Sequence, residues 1–302
     1  MTNIKNILFR ADSSSNIGTG HIMRDLVLAN QYAKDGHHIA FATQNLDGNI
    51  NSTIKKNGFK VINLQTNDKK ELNKIIKQQN IDFVVFDHYE IDYKFEKYIK
   101  ENNKIKILSF DDTYLKHHCD ILLNHNIYGN KKKYKGLVPK HCKLRCGSKY
   151  TLLRKEFYKE KNKVYKINKK KTIFLAMGGT DHSNINIDIL KVLRKFENIQ
   201  VTLVTTTTNK NLEALQKYIQ NKNWIKLHIN STKIAKLMRK SDLAIVTPSV
   251  TLNEIYFLNV PFIAIKTANN QNEMYNFLKK NNQLLLKKFE KRKLIKLLDK
   301  IS

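Results

Sequence analysis

A histidine at the start of a predicted helix is the residue in this sequence that is best placed to do acid–base chemistry. His21 follows a loop that contains Gly18 and Gly20, and the loop follows the short apolar run Ile7–Phe9. A strand, a glycine-bearing loop and a helix in this order present backbone N–H groups to an anionic ligand. Histidine is the usual base near neutral pH, and the dipole at a helix N-terminus disfavours the imidazolium form. We therefore expect His21 to accept a proton during a reaction.

Two carboxylates are candidates for orienting the His21 ring through its other nitrogen, as a carboxylate does in a catalytic triad. Asp25 lies four residues further along the predicted helix, on the same face as His21. Asp12 stands in the loop and is the competing candidate. The sequence leaves this choice open. It also leaves open a purely structural His21 at the helix start, although histidine is not a preferred N-cap residue.

A second glycine-bearing loop lies in the other half of the chain. Gly178, Gly179 and Thr180 follow the apolar run Thr172–Ala176. Glycines let the backbone approach a ligand closely, and a helix that begins after them suits a phosphate group. The alternative is an ordinary tight turn, for which glycine is the default residue.

Polar groups also gather after the apolar run Leu243–Val246. The residues there include Ser249, Asn253 and Glu254. A carboxylate such as that of Glu254 can accept hydrogen bonds from both hydroxyls of a ribose. The alternative is helix capping, because Thr251 and Glu254 have the spacing of a capping box. Spacing alone does not choose between the two.

Polar residues follow two apolar runs in the first half of the chain as well. The segment Asp87–Tyr89 follows the run Phe83–Phe86. Asp111 and Asp112 follow the run Ile105–Phe110. Polar groups at the carboxyl ends of buried parallel strands line the ligand cleft in open α/β sheets, so we expect these residues near a site. Loop capping is the alternative.

Short apolar runs and helical patterns alternate along both halves, which indicates an α/β fold with parallel sheets. A polar, lysine-rich stretch over residues 157–171 interrupts the alternation and predicts a linker. We therefore expect two Rossmann-like domains that face a cleft, residues 1–160 and residues 161–302. The tail Phe289–Ile301 predicts an amphipathic helix that packs on a domain or lies on a surface.

The predicted strands are Asn6–Arg10, His38–Ala42, Lys60–Leu64, Phe83–Phe86, Ile105–Phe110, Ile121–Asn124, Thr172–Ala176, Val201–Thr205, Ile225–Ile229, Leu243–Val246 and Phe262–Ile265. The predicted helices are His21–Ala33, Asn49–Asn57, Lys69–Gln79, Tyr93–Asn102, Ile185–Phe196, Leu212–Ile219, Ile234–Arg239, Leu252–Leu258 and Glu273–Lys280.

The charge balance is strongly basic, since 55 Lys and Arg residues stand against 26 Asp and Glu residues and give a net charge of +29. Nucleic acid or an anionic surface is the obvious partner for such a chain. However, the basic residues are mostly lysines spread along helices, whereas proteins that read nucleic acids favour arginine for bidentate contacts. We therefore expect no nucleic-acid partner.

The three cysteines, Cys119, Cys142 and Cys146, are a sparse and odd set. None of their spacings is C-x2-C, so we expect no metal site. No apolar run reaches the roughly 18 residues of a membrane span, and the chain opens into a strand without a signal-peptide pattern. These features predict a reduced, cytoplasmic protein with no transmembrane segment.

Several motifs together make the sequence resemble one family over nearly its whole length. The family is that of the UDP-2,4-diacetamido-2,4,6-trideoxy-beta-L-altropyranose hydrolases of bacterial pseudaminic acid synthesis. The motifs that carry the resemblance are Arg10–Asp25, Phe86–Tyr89, Ser109–Asp112, His117–Asn124, Gly136–Pro139, Arg145–Gly147, Met177–Thr180 and Asn270–Gln271. The wider relatives are GT-B glycosyltransferases, notably the N-acetylglucosaminyltransferase of peptidoglycan lipid synthesis.

The resemblance implies a GT-B-like fold, with a first domain for the sugar and the catalysis and a second domain for UDP. It implies a small-molecule UDP-sugar substrate and a hydrolysis that uses neither a cofactor nor a metal. Water would attack the anomeric carbon, the C–O bond would break, and the configuration would invert. We expect the protein to act as a monomer.

The resemblance also implies roles for residues at matching positions. His21 binds and activates the water, with Tyr89 and Asn270 in the same site. Asp25 or Asp12 then supports His21, while Gly18 and Gly20 let the chain approach the sugar closely. The implied UDP contacts are Gly178, Gly179 and Thr180 at the diphosphate, Ser249 and Asn253 nearby, Glu254 at the ribose and the backbone near Ile234 at the uracil.

Two other functions fit parts of the sequence. A GT-B glycosyltransferase would share the fold and the nucleotide site, but it requires an acceptor. A basic nucleic-acid-binding protein would fit the net charge, but the chain lacks basic motifs rich in aromatic residues, and its binding would weaken steeply with salt.

Overall fold

The structure is a computed structural model that describes residues 4–165 and 169–301. The chain divides into two compact units, one ending at Leu152 and the other beginning at Leu153. Within the described residues, no helix is both long and apolar enough to cross a membrane.

The first unit is built on a parallel sheet of seven strands. Its elements are β1 (Asn6–Ala11), α1 (Gly20–Lys34), β2 (His38–Gln44), α2 (Asn51–Lys56), β3 (Lys60–Leu64), α3 (Lys69–Gln78), β4 (Phe83–Asp87), α4 (Tyr93–Asn102), β5 (Lys106–Phe110), β6 (Ile121–Asn124) and β7 (Lys143–Cys146). The strand order is β3-β2-β1-β4-β5-β6-β7, which places β1 and β4 side by side at the centre.

Alternate residues of the central strands point to opposite faces of this sheet, as a period of two requires. Leu8 of β1 and Val84 of β4 belong to the core on one face. Ile7 of β1 and Val85 of β4 belong to the core on the other face, which α1 covers with residues such as Ile22. Burial on both faces explains why the central strands are continuous apolar runs in the sequence.

The second unit is built on a parallel sheet of six strands in the order β10-β9-β8-β11-β12-β13. Its elements are α5 (Lys155–Lys161), β8 (Lys171–Ala176), α6 (Asn186–Leu193), β9 (Ile199–Thr205), α7 (Leu212–Ile219), β10 (Ile225–Ile229), α8 (Ile234–Arg239), β11 (Leu243–Val246), α9 (Val250–Leu258), β12 (Phe262–Ile265), α10 (Asn272–Lys280), β13 (Leu285–Leu286) and α11 (Lys291–Asp299). The tail helix α11 packs beside α6 and adds Leu294 and Leu298 to the core of this unit.

The predicted linker is partly a helix. Helix α5 occupies its first part, although residues 166–168 of the stretch lie outside the described residues. Phe157 is fully buried where α5 packs against α8 and α9. Residue 160, after which we expected the domain boundary, therefore lies inside α5, a helix of the second unit. The buried Phe157 holds this otherwise polar segment against the unit.

Candidate active site

His21 is the second residue of α1 and lies beside the end of β4. Ala11 pairs with Asp87 across the two central strands, which brings the loop that leads into α1 next to the last residue of β4. His21 Nδ1 is 2.6 Å from Asp87 Oδ1, and only 9% of the His21 surface is exposed. A carboxylate can only accept in such a contact, so Nδ1 carries the proton and Nε2 is the nitrogen that can accept one.

The partner of His21 is therefore Asp87, and the expectation that Asp25 or Asp12 orients the ring needs correction. Asp25 is buried in the same helix, and in the described residues it makes no hydrogen bond to His21; the carboxyl group with which it interacts is Asp87. Burial, followed by the negative charge of Asp87, raises the pKa of Asp25 well above its usual range. Position on one helical face did not bring Asp25 to the ring, because the His21 side chain turns toward β4 instead.

Asp12 belongs to a different cluster. Its Oδ2 accepts from Arg10 Nη2 at 2.9 Å and lies 3.2 Å from His88 Nε2, while its Oδ1 accepts from the backbone N–H of Gln44. Burial opposes ionisation, but the hydrogen bonds of His88 and Arg10 outweigh it and hold the pKa of Asp12 well below its usual range. These contacts occupy Asp12, so it does not orient His21.

Arg24 is a functional candidate that the sequence analysis missed. Its Nε and Nη2 donate to the two carboxylate oxygens of Asp87. Burial opposes ionisation of Asp87, but the charge of Arg24 outweighs it and holds the pKa of Asp87 well below its usual range. Arg24 also stacks over the Phe110 ring and places Nη1 3.3 Å from His125 Nε2. The only sequence signal was an arginine one helical turn after His21.

Tyr89 contacts His21, in agreement with their expected proximity. The two rings meet edge to face, with 5.0 Å between their centroids. The hydroxyl of Tyr89 donates to Asp112 Oδ2 at 3.1 Å, and 51% of the residue is exposed. Although half of the residue is exposed, its hydroxyl end is shielded from water, and this desolvation, followed by the charge of Asp112, raises the pKa of Tyr89, so the hydroxyl keeps its proton. Tyr89 therefore offers a neutral polar group beside the histidine.

The loop before α1 is held by its own hydrogen bonds. Ser14 Oγ accepts from the backbone N–H groups of Asn16 and Ile17. Gly18 has a φ of +83°, which favours glycine, and Gly20 is the first residue of α1. A Cβ atom at either glycine would meet no other atom within 4 Å, so the space in front of this loop is open within the structure.

In the second unit, the loop after β8 has the conformation expected of a glycine-bearing turn. Gly178 has a φ of +86°, and a Cβ atom on Gly179 would come within 3.0 Å of Thr206 Cγ2. The next helix, α6, begins only at Asn186, so Thr180 does not lead directly into it. The predicted loop is present, and the helix after it begins within one residue of its predicted start at Ile185.

The residues after β11 lie next to this loop in the sheet, because β8 and β11 are paired strands. Ser249 precedes α9 without capping it, and Asn253 is buried inside that helix. Because α9 begins at Val250, Thr251 lies within the helix and the capping-box alternative for Glu254 does not hold.

Glu254 instead pairs with Arg154 Nη2 at 3.3 Å, and burial raises the pKa of Glu254 to about 7. Ile234 begins α8 and is half-buried, whereas Asn270 is exposed in a short 3-10 helix, Asn269–Gln271. These residues follow the carboxyl ends of strands of the second sheet, which is the edge where open α/β sheets bind ligands.

Cys119 is buried, as its position before an apolar strand indicated. Its Sγ lies 3.7 Å from that of Cys142, and both thiols are free. In the described part of the chain, no group of three or more His, Cys, Asp or Glu side chains is arranged to hold a metal ion.

Comparison with models of known protein families gives no match. Two solved structures show the fold to be of the predicted GT-B-like α/β class. MurG of Acinetobacter baumannii has a TM-score of 0.68 at 12% identity, and the match covers 99% of this chain and 91% of that one. The glycotransferase of kitacinnamycin also has a TM-score of 0.68, at 11% identity, with 100% and 92% covered.

Two curated proteins are similar in sequence. An uncharacterised protein of Methanocaldococcus jannaschii is 34% identical over 283 residues, which cover 89% of this chain and 57% of that protein. The UDP-2,4-diacetamido-2,4,6-trideoxy-beta-L-altropyranose hydrolase of Campylobacter jejuni is 42% identical over 274 residues, which cover 91% of this chain and 96% of that protein. Since this likeness spans almost the whole of both chains, the protein belongs to the family of UDP-2,4-diacetamido-2,4,6-trideoxy-beta-L-altropyranose hydrolases.

Proposed function

We propose that this protein hydrolyses UDP-2,4-diacetamido-2,4,6-trideoxy-beta-L-altropyranose to UDP and the free sugar, as a step of pseudaminic acid synthesis. The observation that carries the chemical assignment is the buried contact between His21 Nδ1 and Asp87 Oδ1 at 2.6 Å. With the proton held on Nδ1, the lone pair of Nε2 is available to take a proton from water. His21 is the general base of the proposed reaction.

The reaction needs one water and one broken bond. As Nε2 of His21 takes a proton, the water oxygen forms a bond to the anomeric carbon. The bond from that carbon to the phosphate oxygen breaks, and its electron pair leaves with UDP. Attack from the face opposite the leaving group inverts the configuration. The histidine then returns its proton to solvent or to UDP, so the atoms and charges balance.

The second unit is the proposed UDP-binding unit. Backbone N–H groups at Gly178–Thr180 would stabilise the diphosphate as it leaves, since oriented donors stabilise developing charge. Ser249 and Asn253 would lie near it, and Glu254 would accept from the ribose hydroxyls. The uracil would meet the backbone near Ile234. Asn270 would contact the sugar.

The proposal is tested with the UDP-sugar in water enriched in oxygen-18, without an added acceptor. We expect release of UDP, with the label in the sugar and not in UDP, and a first-formed sugar of inverted configuration by NMR. Label in UDP would show cleavage of the P–O bond and overturn the mechanism. A product that forms only with an added acceptor would identify a glycosyltransferase instead.

The variant His21→Ala tests the assignment of the base. We expect its turnover to fall by about 10²–10⁴-fold, the contribution typical of general acid–base catalysis, while UDP binds as before. Turnover at the wild-type rate would remove His21 from the role.

A monomer in the cytoplasm remains our prediction for the state in which the enzyme acts.

A further inference from the structure

We propose that Asp87, held in place by Arg24, is a positioning residue that fixes His21 in the tautomer whose Nε2 is free to accept a proton. The inference rests on the proposed function, in which His21 is the base. It gives a specific role to Asp87, which the sequence placed only near a site, and to Arg24, because the sequence offered Asp25 and Asp12 as partners of the histidine.

Both oxygens of the Asp87 carboxylate accept hydrogen bonds from these two side chains, and Asp25 lies against the same carboxylate. Oδ1 accepts from His21 Nδ1 and from Arg24 Nη2, and Oδ2 accepts from Arg24 Nε. A bidentate contact fixes the plane of a carboxylate as well as its position. Oδ1 is therefore aimed at the imidazole ring and cannot rotate away without breaking both bonds to the guanidinium.

Burial of both side chains keeps Arg24 and Asp87 in contact. The side chain of Arg24 is 5% exposed and that of Asp87 is 2% exposed, so water cannot replace either partner. An unpaired charge in such a place is costly, which keeps the two side chains together. The charges of Arg24 and Asp87 neutralise each other. The hydrogen bond from His21 Nδ1 to Asp87 is therefore the contact that selects the tautomer.

Arg24 is itself held from the other side. Its guanidinium lies over the Phe110 ring, 4.9 Å from the ring centroid, and Nη1 is 3.3 Å from His125 Nε2. Burial, assisted by the positive charge of Arg24, lowers the pKa of His125 to about 3, so His125 is a neutral acceptor for that N–H. A lysine could not make these contacts together, because it has no planar fork.

Arg24 Nη2 also lies 3.3 Å from His21 Nδ1, but a guanidinium can only donate, so Asp87 Oδ1 at 2.6 Å is the acceptor available to a proton on Nδ1. Burial, followed by the charge of Asp87, raises the pKa of Asp25 well above its usual range, which disfavours its ionised form. Asp112 is engaged by the Tyr89 hydroxyl, and its Oδ2 is 3.8 Å from Arg24 Nη1. Asp87 is thus the ionised carboxylate that meets the ring.

The first test reads the tautomer directly in the intact protein. Nitrogen-15 NMR of the histidine-labelled chain, assigned with His21→Ala, distinguishes a protonated Nδ1 from a protonated Nε2. We expect neutral His21 to carry its proton on Nδ1. A proton on Nε2 in the wild-type protein would overturn the proposal, whatever the activity of any variant, and this reading does not depend on a variant that folds.

The second test uses Asp87→Asn, whose amide N–H can donate to Nδ1 and so favours the wrong tautomer. We expect kcat to fall by up to roughly 10,000-fold, the loss seen when a triad aspartate is changed in this way, with the Kd for UDP unchanged. The NMR signal should move to the form protonated on Nε2. If Asp87→Asn had the wild-type kcat, the positioning role would be overturned. The proposed function would still stand in that case, provided that His21→Ala was inactive.

The matched control is Asp120→Asn in the same unit. Asp120 also pairs with a basic side chain, since its Oδ2 lies 2.6 Å from Lys100 Nζ and accepts from the backbone N–H of Ile107. It stands at the start of β6, away from the carboxyl edge that carries His21. We expect a lower thermal midpoint with kcat unchanged, and an equal loss of kcat in the control would assign the effect of Asp87→Asn to stability.

Arg24→Lys tests the bidentate contact between Arg24 and Asp87 on its own. The charge remains but the bidentate contact is lost, so the carboxylate of Asp87 gains freedom to rotate. We expect kcat to fall at least tenfold while the Kd for UDP is unchanged. A kcat within twofold of the wild-type value would remove Arg24 from the proposal.

Discussion

Arg154 donates from Nη2 to Glu254 Oε1 at 3.3 Å, and this ion pair ties the segment before α5 to helix α9. The Glu254 side chain is 16% exposed. Burial raises the pKa of Glu254 to about 7, although the charge of Arg154 acts in the opposite direction. The carboxyl group that we place at the ribose therefore changes its charge close to neutral pH.

The first prediction is that UDP binds more tightly as the pH rises through 7. Only the ionised form of Glu254 accepts hydrogen bonds from both ribose hydroxyls with full strength. With a pKa of about 7, most of the group is protonated at pH 6 and most is ionised at pH 8. We expect the Kd for UDP, measured by calorimetry, to fall by up to roughly tenfold over this interval.

Glu254→Gln is the control for this pH dependence, because UDP and other side chains also titrate. The variant keeps an acceptor of similar shape but cannot ionise. At pH 8 the variant should bind UDP with a higher Kd than the wild-type protein. The change of its Kd with pH should lack the part that Glu254 contributes. Identical slopes in the two proteins would mean that Glu254 does not meet the ribose.

A second prediction concerns Arg154. Its removal in Arg154→Met takes away the positive charge that opposes the effect of burial, so the pKa of Glu254 should rise further. At pH 7 we expect UDP to bind roughly 2- to 5-fold more weakly, because a rise of half to one unit in a pKa of about 7 lowers the ionised fraction of Glu254 by that factor. Binding should recover at pH 9, where Glu254 is ionised again.

The recovery separates this explanation from a direct contact between Arg154 and UDP, which would be lost at every pH. Lys191→Met is the matched control, because Lys191 pairs with Asp188 on the surface of α6 in the same unit. That variant should bind UDP as the wild-type protein does.

The comparison of sequence and structure shows which features could be predicted and which could not. Strands β10, β11 and β12 were predicted to the residue, because β11 and β12 are uninterrupted apolar runs and β10 alternates apolar and polar residues. Strand β7 was missed because Lys143 and Arg145 interrupt its apolar pattern at the edge of the sheet. The edge strand β10 has three apolar residues that alternate with polar ones, whereas β7 has two, so local pattern predicts an edge strand only where enough apolar positions alternate.

The partner of His21 could not be predicted for a different reason. His21 and Asp87 are 66 residues apart, and they meet because β1 and β4 are neighbours in the sheet. The sequence indicates that both strands exist, and it placed Asp87 at a strand end, but the order of strands in a sheet is not a local property. Arg24 looked like any basic residue on a helix until the fold placed it against Asp87.

The third prediction concerns stability and the buried His117 of the first unit. His117 Nδ1 lies 2.8 Å from Glu96 Oε1, and its Nε2 faces Asp111 Oδ1 at 3.8 Å. Burial opposes its protonation, but Asp111 and Glu96 outweigh burial and raise the pKa of His117 to about 10. The folded protein thus holds a proton on His117 that the unfolded chain releases near pH 6.5.

It follows that the stabilisation from His117 is complete below pH 6.5 and is lost as the pH rises toward 10. We expect the free energy of unfolding to fall with a slope of up to about 1.4 kcal/mol per pH unit between these values. Urea unfolding followed by circular dichroism measures this slope. Trp224, the single tryptophan, lies in the second unit, so its fluorescence gives a reference transition that His117 should not affect.

His117→Gln should make the free energy of unfolding less dependent on pH. It should also lower the stability, because the carboxylates of Glu96 and Asp111 lose the cation between them. His141→Gln is the matched control, because the His141 side chain is 63% exposed and belongs to the same unit. A slope that survives in His117→Gln but disappears in His141→Gln would place the titrating group elsewhere.

The last prediction concerns the loop that leads to His21, which rests on Gly48. The backbone N–H of Ser15 donates to the carbonyl of Asp47, and a Cβ atom on Gly48 would come within 2.9 Å of the Ser15 backbone nitrogen. Gly48→Ala must therefore push the loop away. Gly36 is a matched control, because it also has a positive φ, +87°, but a Cβ atom there would meet nothing within 4 Å.

Both alanine variants should lose about 1–2 kcal/mol of stability from the left-handed backbone alone. Only Gly48→Ala should also lose activity, since a catalytic group displaced by about 1 Å can lower the rate by roughly 100-fold. Thermal unfolding and kcat/KM of the two variants, measured side by side, separate strain from displacement. Equal kcat/KM in both would show that the position of this loop does not set the geometry of His21.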